Sequence, residues 1–223
     1  MLPSQTVENY LKTIYLAQST DPEALVPMGQ LASGLGVVPG TATTMVKTLA
    51  ESGLVRYEPY MGVRLTAAGE KLASLVLRRH RLVELFLVRI LGMSWAEVHD
   101  EAERLEHAVS ERIIERMDEM LGRPSVDPHG DPIPTAEGTM ARPEYLDLLA
   151  APMETPLVIE RVVDQDADFL RFVERQHLVP GTAVVIEARD QAADFVQLRN
   201  ASGKATTVGA RAASKLLVSL APK

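Results

Sequence analysis

Residues 40–69, GTATTMVKTLAESGLVRYEPYMGVRLTAAG, decide the fold of the N-terminal part of the chain. Thr41 to Ser52 has the apolar period of a helix, and Gly53 ends that helix. Leu54 to Thr66 predicts two short strands around a turn at Pro59 to Gly62. A helix followed directly by a β-hairpin is typical of the second half of a winged helix-turn-helix.

Two helices predicted upstream complete this pattern. Val7 to Gln18 and Met28 to Leu35 both have apolar residues at helical spacing. In a winged helix-turn-helix the second helix of the motif enters the major groove of DNA. The side chains expected to face outward from that helix, with hydroxyl or ammonium groups for phosphates and base edges, are Thr41, Thr43, Thr44 and Lys47. The alternative is an ordinary helical hairpin in a protein–protein module.

The middle of the chain predicts further helices. Thr66 is placed to cap a long helix from Ala67 to about Ile90. Ser94, with Glu97 at the capping-box position, predicts the start of the next helix. Ser110 is placed to restart the helix, which continues to Leu121.

The last hundred residues change character. Gly122 to Pro156 is rich in proline and glycine and predicts a linker or a domain boundary. From Leu157 onward, short β-type runs alternate with turns, with one brief helix over Asp168 to Arg175. These runs predict a compact β-barrel domain. The fold class is therefore mainly α with a small β part.

Composition narrows the function classes. The chain has 223 residues, a net charge of −7 and no cysteine. The absence of cysteine excludes disulfides, thiolate zinc sites and a cysteine nucleophile. Residues 94–121 are strongly acidic, whereas residues 40–90 carry more bases than acids, which fits a DNA-binding face beside a cation-binding helix. The N-terminus lacks the features of a signal peptide and no apolar run reaches membrane-spanning length, so we expect a cytoplasmic protein with no membrane partner.

The stretch HDEAERLEH, residues 99–107, predicts a metal site. On a helix, side chains three, four, seven or eight positions apart share a face, which groups His99, Glu103, Glu106 and His107. His80 and Glu84 have the same four-residue spacing one helix earlier. Imidazole and carboxylate ligands without thiolate suit Mn(II) or Fe(II).

Two alternatives stay open for these residues. Acid-rich helix faces are usually solvated and bind no metal. A metalloenzyme is the other alternative, but the stretch lacks the His-Glu-x-x-His order of zinc proteases and the paired Glu-x-x-His motifs of di-iron bundles. The chain also lacks a glycine-rich phosphate loop and a nucleophile motif, so we expect no enzyme.

The sequence resembles the diphtheria toxin repressor family of metal-dependent transcriptional regulators, and most closely its manganese-responsive branch. The resemblance spans nearly the whole chain and rests on ENYLKTIY, the stretch of residues 40–69, RRHRL, HDEAERLEH, DPHGDPIP and LVPGTAV. It implies a winged helix-turn-helix domain over 1–70, a helical dimerisation and metal domain with linker over 71–145, and an SH3-like (FeoA-type) domain over 153–223. It also implies a homodimer that binds double-stranded operator DNA when loaded with metal.

The resemblance implies two ligand sets. Glu103, Glu106 and His107 fall on the principal metal site of the family, with Glu103 as the manganese-branch residue where the iron branch uses cysteine. The second or ancillary site is matched by His80, Glu84 and His99, and a further oxygen ligand is expected from Asp166 or Asp168. At the N-terminal ligand position the family has Met or Asp where this chain has Asn9, and the adjacent Glu8 could substitute. Lys12 replaces a glutamate of the two-metal manganese type.

The sequence therefore predicts a manganese-dependent regulator, most simply a repressor of manganese-uptake genes, with an iron(II)-dependent repressor as the nearest alternative. Within the principal site, we expect Glu106→Gln to weaken Mn(II) binding with little effect on folding.

Overall fold

The computed structural model describes residues 4–18, 21, 23–200, 203 and 205–221. The chain packs as two compact units. Within the described part, no helix is both long enough and apolar enough to cross a membrane. The first unit contains the chain up to His80 together with Glu106–Ala108 and Pro134–Met140, and the second contains the remainder. The three-domain division at 1–70, 71–145 and 153–223 stays a prediction.

The first unit is a winged helix-turn-helix, as predicted. Its elements are α1 (Gln5–Ala17), α2 (Met28–Gly34), α3 (Pro39–Glu51), β1 (Val55–Glu58), β2 (Gly62–Leu65) and the start of α4 (Ala67–Arg89). The backbone N–H of Val7 donates to the Ser4 hydroxyl, which caps α1, and that of Gly69 donates to Thr66, which confirms the predicted cap of α4. Proline at the first position of α3 starts that helix two residues earlier than predicted.

Apolar side chains from all three short helices fill the core of this unit. Leu11, Ile14, Leu31, Val46 and Leu49 are almost completely buried. The antiparallel hairpin pairs Val55 with Leu65 and covers one side of this core. Burial of the apolar stripes therefore fixes α3 with its polar face outward.

The helical part of the second unit contains the rest of α4, α5 (Val98–Leu105) and α6 (Glu111–Met120). The predicted helix start at Ser94 is wrong. The Ser94 hydroxyl accepts from the Ala96 N–H and residues 95–97 form a turn, so α5 begins at Val98. Ser110 precedes α6 as predicted.

The C-terminal part of the second unit is a six-stranded antiparallel sheet. Its elements are β3 (Leu146–Asp147), β4 (Pro156–Val162), α7 (Ala167–Arg175), β5 (Ala183–Asp190), β6 (Phe195–Asn200), β7 (Ala205–Gly209), α8 (Ala210–Ala213) and β8 (Leu216–Leu220). The strand order is β3-β8-β4-β5-β6-β7. Alternate residues of β4, β5 and β6 are buried, as the predicted β runs require.

Part of the predicted linker is a tightly held loop. Asp127, His129 and Asp131 are buried, and the Val162 N–H donates to the His129 carbonyl. Gly130 has a φ of 86°, and a Cβ at this position would lie 1.9 Å from the Glu160 carbonyl oxygen. Only glycine allows the loop to approach β4 this closely.

Candidate metal centres and DNA-binding surface

Six charged or imidazole side chains meet in the first unit, and we call them the α1 cluster: Glu8, Lys12, Arg79, His80, Glu106 and His107. Glu8 and Lys12 lie one turn apart on α1 and are buried there. Arg79 and His80 come from α4, whereas Glu106 and His107 follow the end of α5. Sequence spacing predicted the last two residues and His80 as metal ligands.

Glu106 is the most enclosed member of this cluster. It is 0% exposed, its Oε1 lies 2.8 Å from Lys12 Nζ, and its Oε2 lies 2.6 Å from His80 Nδ1. Burial raises the pKa of Glu106, but the hydrogen bond from His80 and the positive charges of Lys12 and His80 outweigh burial and bring the pKa below its usual 4.5. Glu106 is therefore an anion at neutral pH.

The contacts of His107 leave one ring nitrogen available. Its Nδ1 lies 2.6 Å from Glu8 Oε2, and the other Glu8 oxygen lies 2.5 Å from Arg79 NH2. A carboxylate only accepts, so Nδ1 carries a proton, and in the neutral ring Nε2 holds a lone pair. Among the described residues the buried Nε2 has no hydrogen-bond partner, although Glu106 Oε1 is 3.2 Å away. A metal-binding histidine is commonly held this way, with a carboxylate on its other nitrogen.

Asn9 follows Glu8 on the same helix. The Asn9 side-chain oxygen is buried and has no hydrogen-bond partner in the part of the chain that the structure describes. An unsatisfied buried oxygen is costly unless a ligand or water completes it. The residues of the α1 cluster, with Asn9 beside them, thus fit a divalent cation.

A second group of ligands lies inside the second unit, and we call it the loop cluster: Glu84, Asp127 and His129. The ligand atoms of all three lie within 4.8 Å of one another, and His129 Nδ1 is 4.0 Å from both Glu84 Oε2 and Asp127 Oδ1. Metal–ligand bonds of about 2.0–2.2 Å allow ligand atoms up to about 4.3 Å apart to share one ion.

The ring of His129 is oriented for a cation. Its Nε2 lies 2.9 Å from the Trp95 carbonyl oxygen, which can only accept, so Nε2 carries a proton. The Nδ1 lone pair then faces two carboxylates, and within the described residues Nδ1 has no hydrogen-bond partner. A lone pair directed at carboxylate oxygens is unfavourable unless a cation or a proton lies between them.

The pKa of Asp127 also supports a cation site in the loop cluster. Burial, together with the charges of Asp131 and Glu84, raises the pKa of Asp127 well above its usual 3.8, and Arg81 offsets only part of this effect. Asp131 is itself paired with Arg161 at 2.5 Å. The anionic form of Asp127 is therefore unfavourable in the loop cluster, and a divalent cation bound there would offset this cost.

The remaining predicted ligands lie in the second unit. His99 Nδ1 is 3.2 Å from Glu84 Oε1, and its Nε2 is 3.9 Å from Glu103 Oε1. Asp166 caps α7 through the Phe169 N–H, and the exposed Asp168 pairs with Arg171. Neither aspartate belongs to a group of potential metal ligands among the described residues, so their role as ligands stays a prediction without a supporting contact.

The loop cluster also contains two residues that sequence reasoning missed. Asp127 and His129 belong to DPHGDPIP, a segment that supported the family resemblance but whose proline and glycine content predicted a linker. Their spacing of two residues would place them on one face of a strand, but the surrounding prolines and glycine argue against a strand there. The available signal was an imidazole and two aspartates crowded within five residues.

The outward face of α3 has the predicted polar residues. Thr41, Thr44 and Lys47 are exposed and Thr43 is partly exposed, whereas Ala42 is buried. The hydroxyls of Thr43 and Thr44 donate to the carbonyls of Pro39 and Gly40 within the helix. Their oxygens still accept, so this face can bind phosphates and base edges.

Two family models match consecutive parts of the chain. Residues 3–63 match the iron-dependent repressor N-terminal DNA-binding domain, and residues 66–135 match the iron-dependent repressor metal-binding and dimerisation domain. The iron-dependent repressor IdeR of Mycobacterium leprae is 31% identical over 82% of this chain and 84% of its own length. The diphtheria toxin repressor of Corynebacterium efficiens is 37% identical over 58% of this chain and 55% of its own.

Two solved structures are similar across almost the whole chain. A manganese-dependent transcriptional repressor in complex with manganese has a TM-score of 0.88 and 38% identity, covering 96% of this chain and 100% of its own. The manganese regulator SloR has a TM-score of 0.74 and 32% identity, covering 99% of this chain and 100% of its own.

The fold, the relatives and the two ligand clusters define a metal-dependent, DNA-binding transcriptional repressor rather than an enzyme. The chain belongs to the diphtheria toxin repressor family. The family resemblance inferred from the sequence is thereby confirmed.

Proposed function

We propose that this protein is a cytoplasmic, homodimeric, manganese(II)-dependent repressor that binds operator DNA and controls manganese-uptake genes. The observation that carries the proposal is the donor set: both clusters offer only imidazole nitrogens and carboxylate or amide oxygens, in a chain without cysteine. Such donors suit Mn(II). Because Mn(II) binds more weakly than the later first-row ions, a protein selects it through the geometry of the site and the availability of the metal. Similarity to the manganese-bound repressor supports the same metal.

In the α1 cluster, the proposed ligands are Glu106, the Nε2 atom of His107 and the side-chain oxygen of Asn9. Glu103 stays a proposed ligand of this site, on the basis of its helical spacing and of the family resemblance. Glu8 is assigned to orienting His107, because both of its oxygens are already bound by His107 and Arg79. His80 is assigned to holding the second oxygen of Glu106.

In the loop cluster, the proposed ligands are Glu84, Asp127 and His129, with His99 beside Glu84. The loop cluster thus retains Glu84 and His99 from the predicted ancillary site and adds two loop residues. Two metal sites in each chain follow from this assignment.

Metal control of DNA binding follows from where the ligands lie. Asn9 is on α1, whereas Glu106 and His107 lie about a hundred residues later, so one ion would join the first helix of the DNA-binding unit to a distant segment of the same unit. A ligand shifts a conformational equilibrium only by its different affinities for the two states. Metal would therefore favour the arrangement in which α1 is held, and operator binding would require it.

A gel-shift titration with Mn(II), Fe(II) and Zn(II) tests the proposal. The chain is first treated with a chelator, and promoter DNA that it binds with Mn(II) is the probe. We expect binding to disappear with chelator and to return at the lowest free concentration for Mn(II). DNA binding that is insensitive to the chelator would reject metal control altogether.

An iron(II)-dependent repressor is the second candidate, because IdeR is similar over most of the chain and Fe(II) accepts the same ligands. The titration separates the two under anaerobic conditions. Restoration of DNA binding at lower free Fe(II) than Mn(II) selects iron.

A further inference from the structure

Lys12 is a buried cation inside a candidate cation site. Its side chain is 8% exposed, and lysine is almost never buried without a counter-charge. The counter-charge is Glu106, whose Oε1 lies 2.8 Å from Lys12 Nζ. Arg79 pairs with Glu8 in the same way, so each of the two carboxylates of the cluster already contacts a basic side chain.

The oxygen that Lys12 holds is the one that a metal would need. Glu106 Oε1 is 3.2 Å from His107 Nε2, and two ligand atoms at that distance can both bind one ion with bonds of about 2.1 Å. The other oxygen of Glu106 is directed to His80. A divalent ion placed between Oε1 and Nε2 would therefore lie close to the ammonium of Lys12, where like charges repel strongly in a buried setting.

We propose that Lys12 is an internal cation that neutralises Glu106 in the metal-free protein and that the activating metal must displace from Glu106 Oε1. This inference rests on the proposed function. Lys12 then lowers metal affinity and sets the metal concentration at which the regulator responds. Because the competition is one of charge, it affects different divalent ions alike and leaves their order of affinity unchanged.

The ion pair also has a consequence for α1. Lys12 belongs to α1 and Glu106 to the segment Glu106–Ala108, so their ion pair, together with the hydrogen bond from His107 to Glu8, already links these parts of the first unit in the metal-free chain. Metal binding would replace the ion pair between Lys12 and Glu106 by bonds to a divalent ion.

Isothermal titration of the full chain with Mn(II) and Zn(II) tests the inference. Lys12→Gln removes the charge and keeps hydrogen-bonding capacity, Lys12→Arg keeps the charge, and Lys71→Gln is the control at an exposed lysine. We expect Lys12→Gln to tighten binding of both ions by on the order of tenfold or more. Lys12→Arg and Lys71→Gln should stay within about threefold of the wild type. An unchanged or weaker affinity in Lys12→Gln overturns the inference.

A measurement on the wild type keeps the inference testable if Lys12→Gln does not fold. In ¹⁵N spectra selective for lysine side chains, a buried ammonium in an ion pair gives a protected signal, which Lys12→Arg identifies by its loss. We expect one equivalent of Mn(II) or diamagnetic Zn(II) to shift this signal or expose it to exchange. A signal unchanged at full Zn(II) occupancy of the α1 cluster overturns the inference.

The results distinguish this inference from the proposed function. If the wild type binds no metal, both fail. If the wild type binds metal through Glu106 and needs it for DNA binding, but Lys12→Gln has unchanged affinity, only the inference about Lys12 fails.

Discussion

At the residue scale, Glu106 serves both the fold and the metal. Its carboxylate neutralises Lys12 and accepts from His80 while completely buried. We therefore expect Glu106→Gln to destabilise the metal-free protein by about 3 kcal/mol, because the substitution leaves a buried ammonium without its counter-ion. This prediction replaces the expectation from sequence that folding would be little affected, because the sequence alone does not show the contact between Glu106 and Lys12. Chemical denaturation of the chelated protein measures the loss.

The same substitution should weaken Mn(II) binding, since a hard ion depends on anionic oxygen. The stability of the folded protein, measured over a pH series, gives a further check on the role of the Glu106 carboxylate. The pKa of Glu106 is lowered in the folded state, so its stabilising effect is present above the unfolded pKa and is lost as the pH falls through the folded pKa. Wild type should lose stability below about pH 4.5, and Glu106→Gln should lose less. Equal Mn(II) affinity in both proteins would remove Glu106 from the ligand set.

Trp95 offers a direct probe of the loop cluster. It is the single tryptophan of the chain, and its ring stacks on His129 with the centroids 5.4 Å apart. Binding of Mn(II) at His129 should therefore change tryptophan fluorescence. His129→Phe keeps a ring in the stack but removes the ligand, so we expect the second metal-binding event and the fluorescence change to disappear. Persistence of both in His129→Phe would contradict the loop cluster as a metal site.

How far sequence could predict the ligands depends on their setting. Glu106 and His107 lie three and four residues after Glu103, a spacing that predicts a shared helix face, and the structure brings both to α1 just after α5 ends. His129 lies in an irregular loop, whose conformation depends on tertiary contacts such as that of Gly130 with Glu160. The periodicity of apolar residues in the sequence does not predict such tertiary contacts. The pairing of Lys12 with Glu106, 94 residues later, was likewise beyond local pattern.

At the scale of elements, α3 should read DNA through distinct kinds of contact. Lys47 is exposed and placed to contact phosphate, whereas Thr41 and Thr44 are placed for base edges. We expect Lys47→Ala to weaken binding to all DNA sequences and to lower the salt slope by about one unit. Thr41→Ala or Thr44→Ala should change operator preference instead. Filter-binding at several salt concentrations, with operator and random DNA, separates the two effects.

If α3 has these roles, the three substitutions must differ in their effects on DNA affinity and on operator preference. Equal losses from Lys47→Ala, Thr41→Ala and Thr44→Ala, with unchanged preference, would reject the assignment. Thr48→Ala is a matched control, because its exposed hydroxyl donates within the helix to the Thr44 carbonyl and was not predicted to contact DNA.

Element boundaries show a limit of local signals. The existence and order of the N-terminal helices and the hairpin follow from apolar periodicity and glycine stops, and the structure confirms them. The start of α5 does not follow, because Ser94 has the capping chemistry but forms a turn with Ala96 instead of a helix. The same side-chain oxygen can satisfy either geometry, and packing decides between them.

At the scale of the whole molecule, the acidic net charge restricts how DNA can be bound. A chain with a net charge of −7 has little general attraction to phosphates, so affinity depends on local basic surfaces and on engaging two half-sites at once. Dimerisation is then a requirement for tight operator binding. The family match to a metal-binding and dimerisation domain covers residues 66–135, which places this role in the helical part of the chain.

The face of α6 makes the dimer testable. Ile113 and Met120 are 50% and 64% exposed and lie seven residues apart on one helix face, whereas Ile114 is buried. If this face lies in the dimer interface, Ile113→Glu with Met120→Glu should give monomers by light scattering. Operator affinity should then fall about 100-fold, because the second half-site no longer binds at high effective concentration. Val163→Glu, at an equally exposed apolar residue, is the control. Dimers that persist in the double variant would place the interface elsewhere, and monomers with full operator affinity would separate dimerisation from DNA binding.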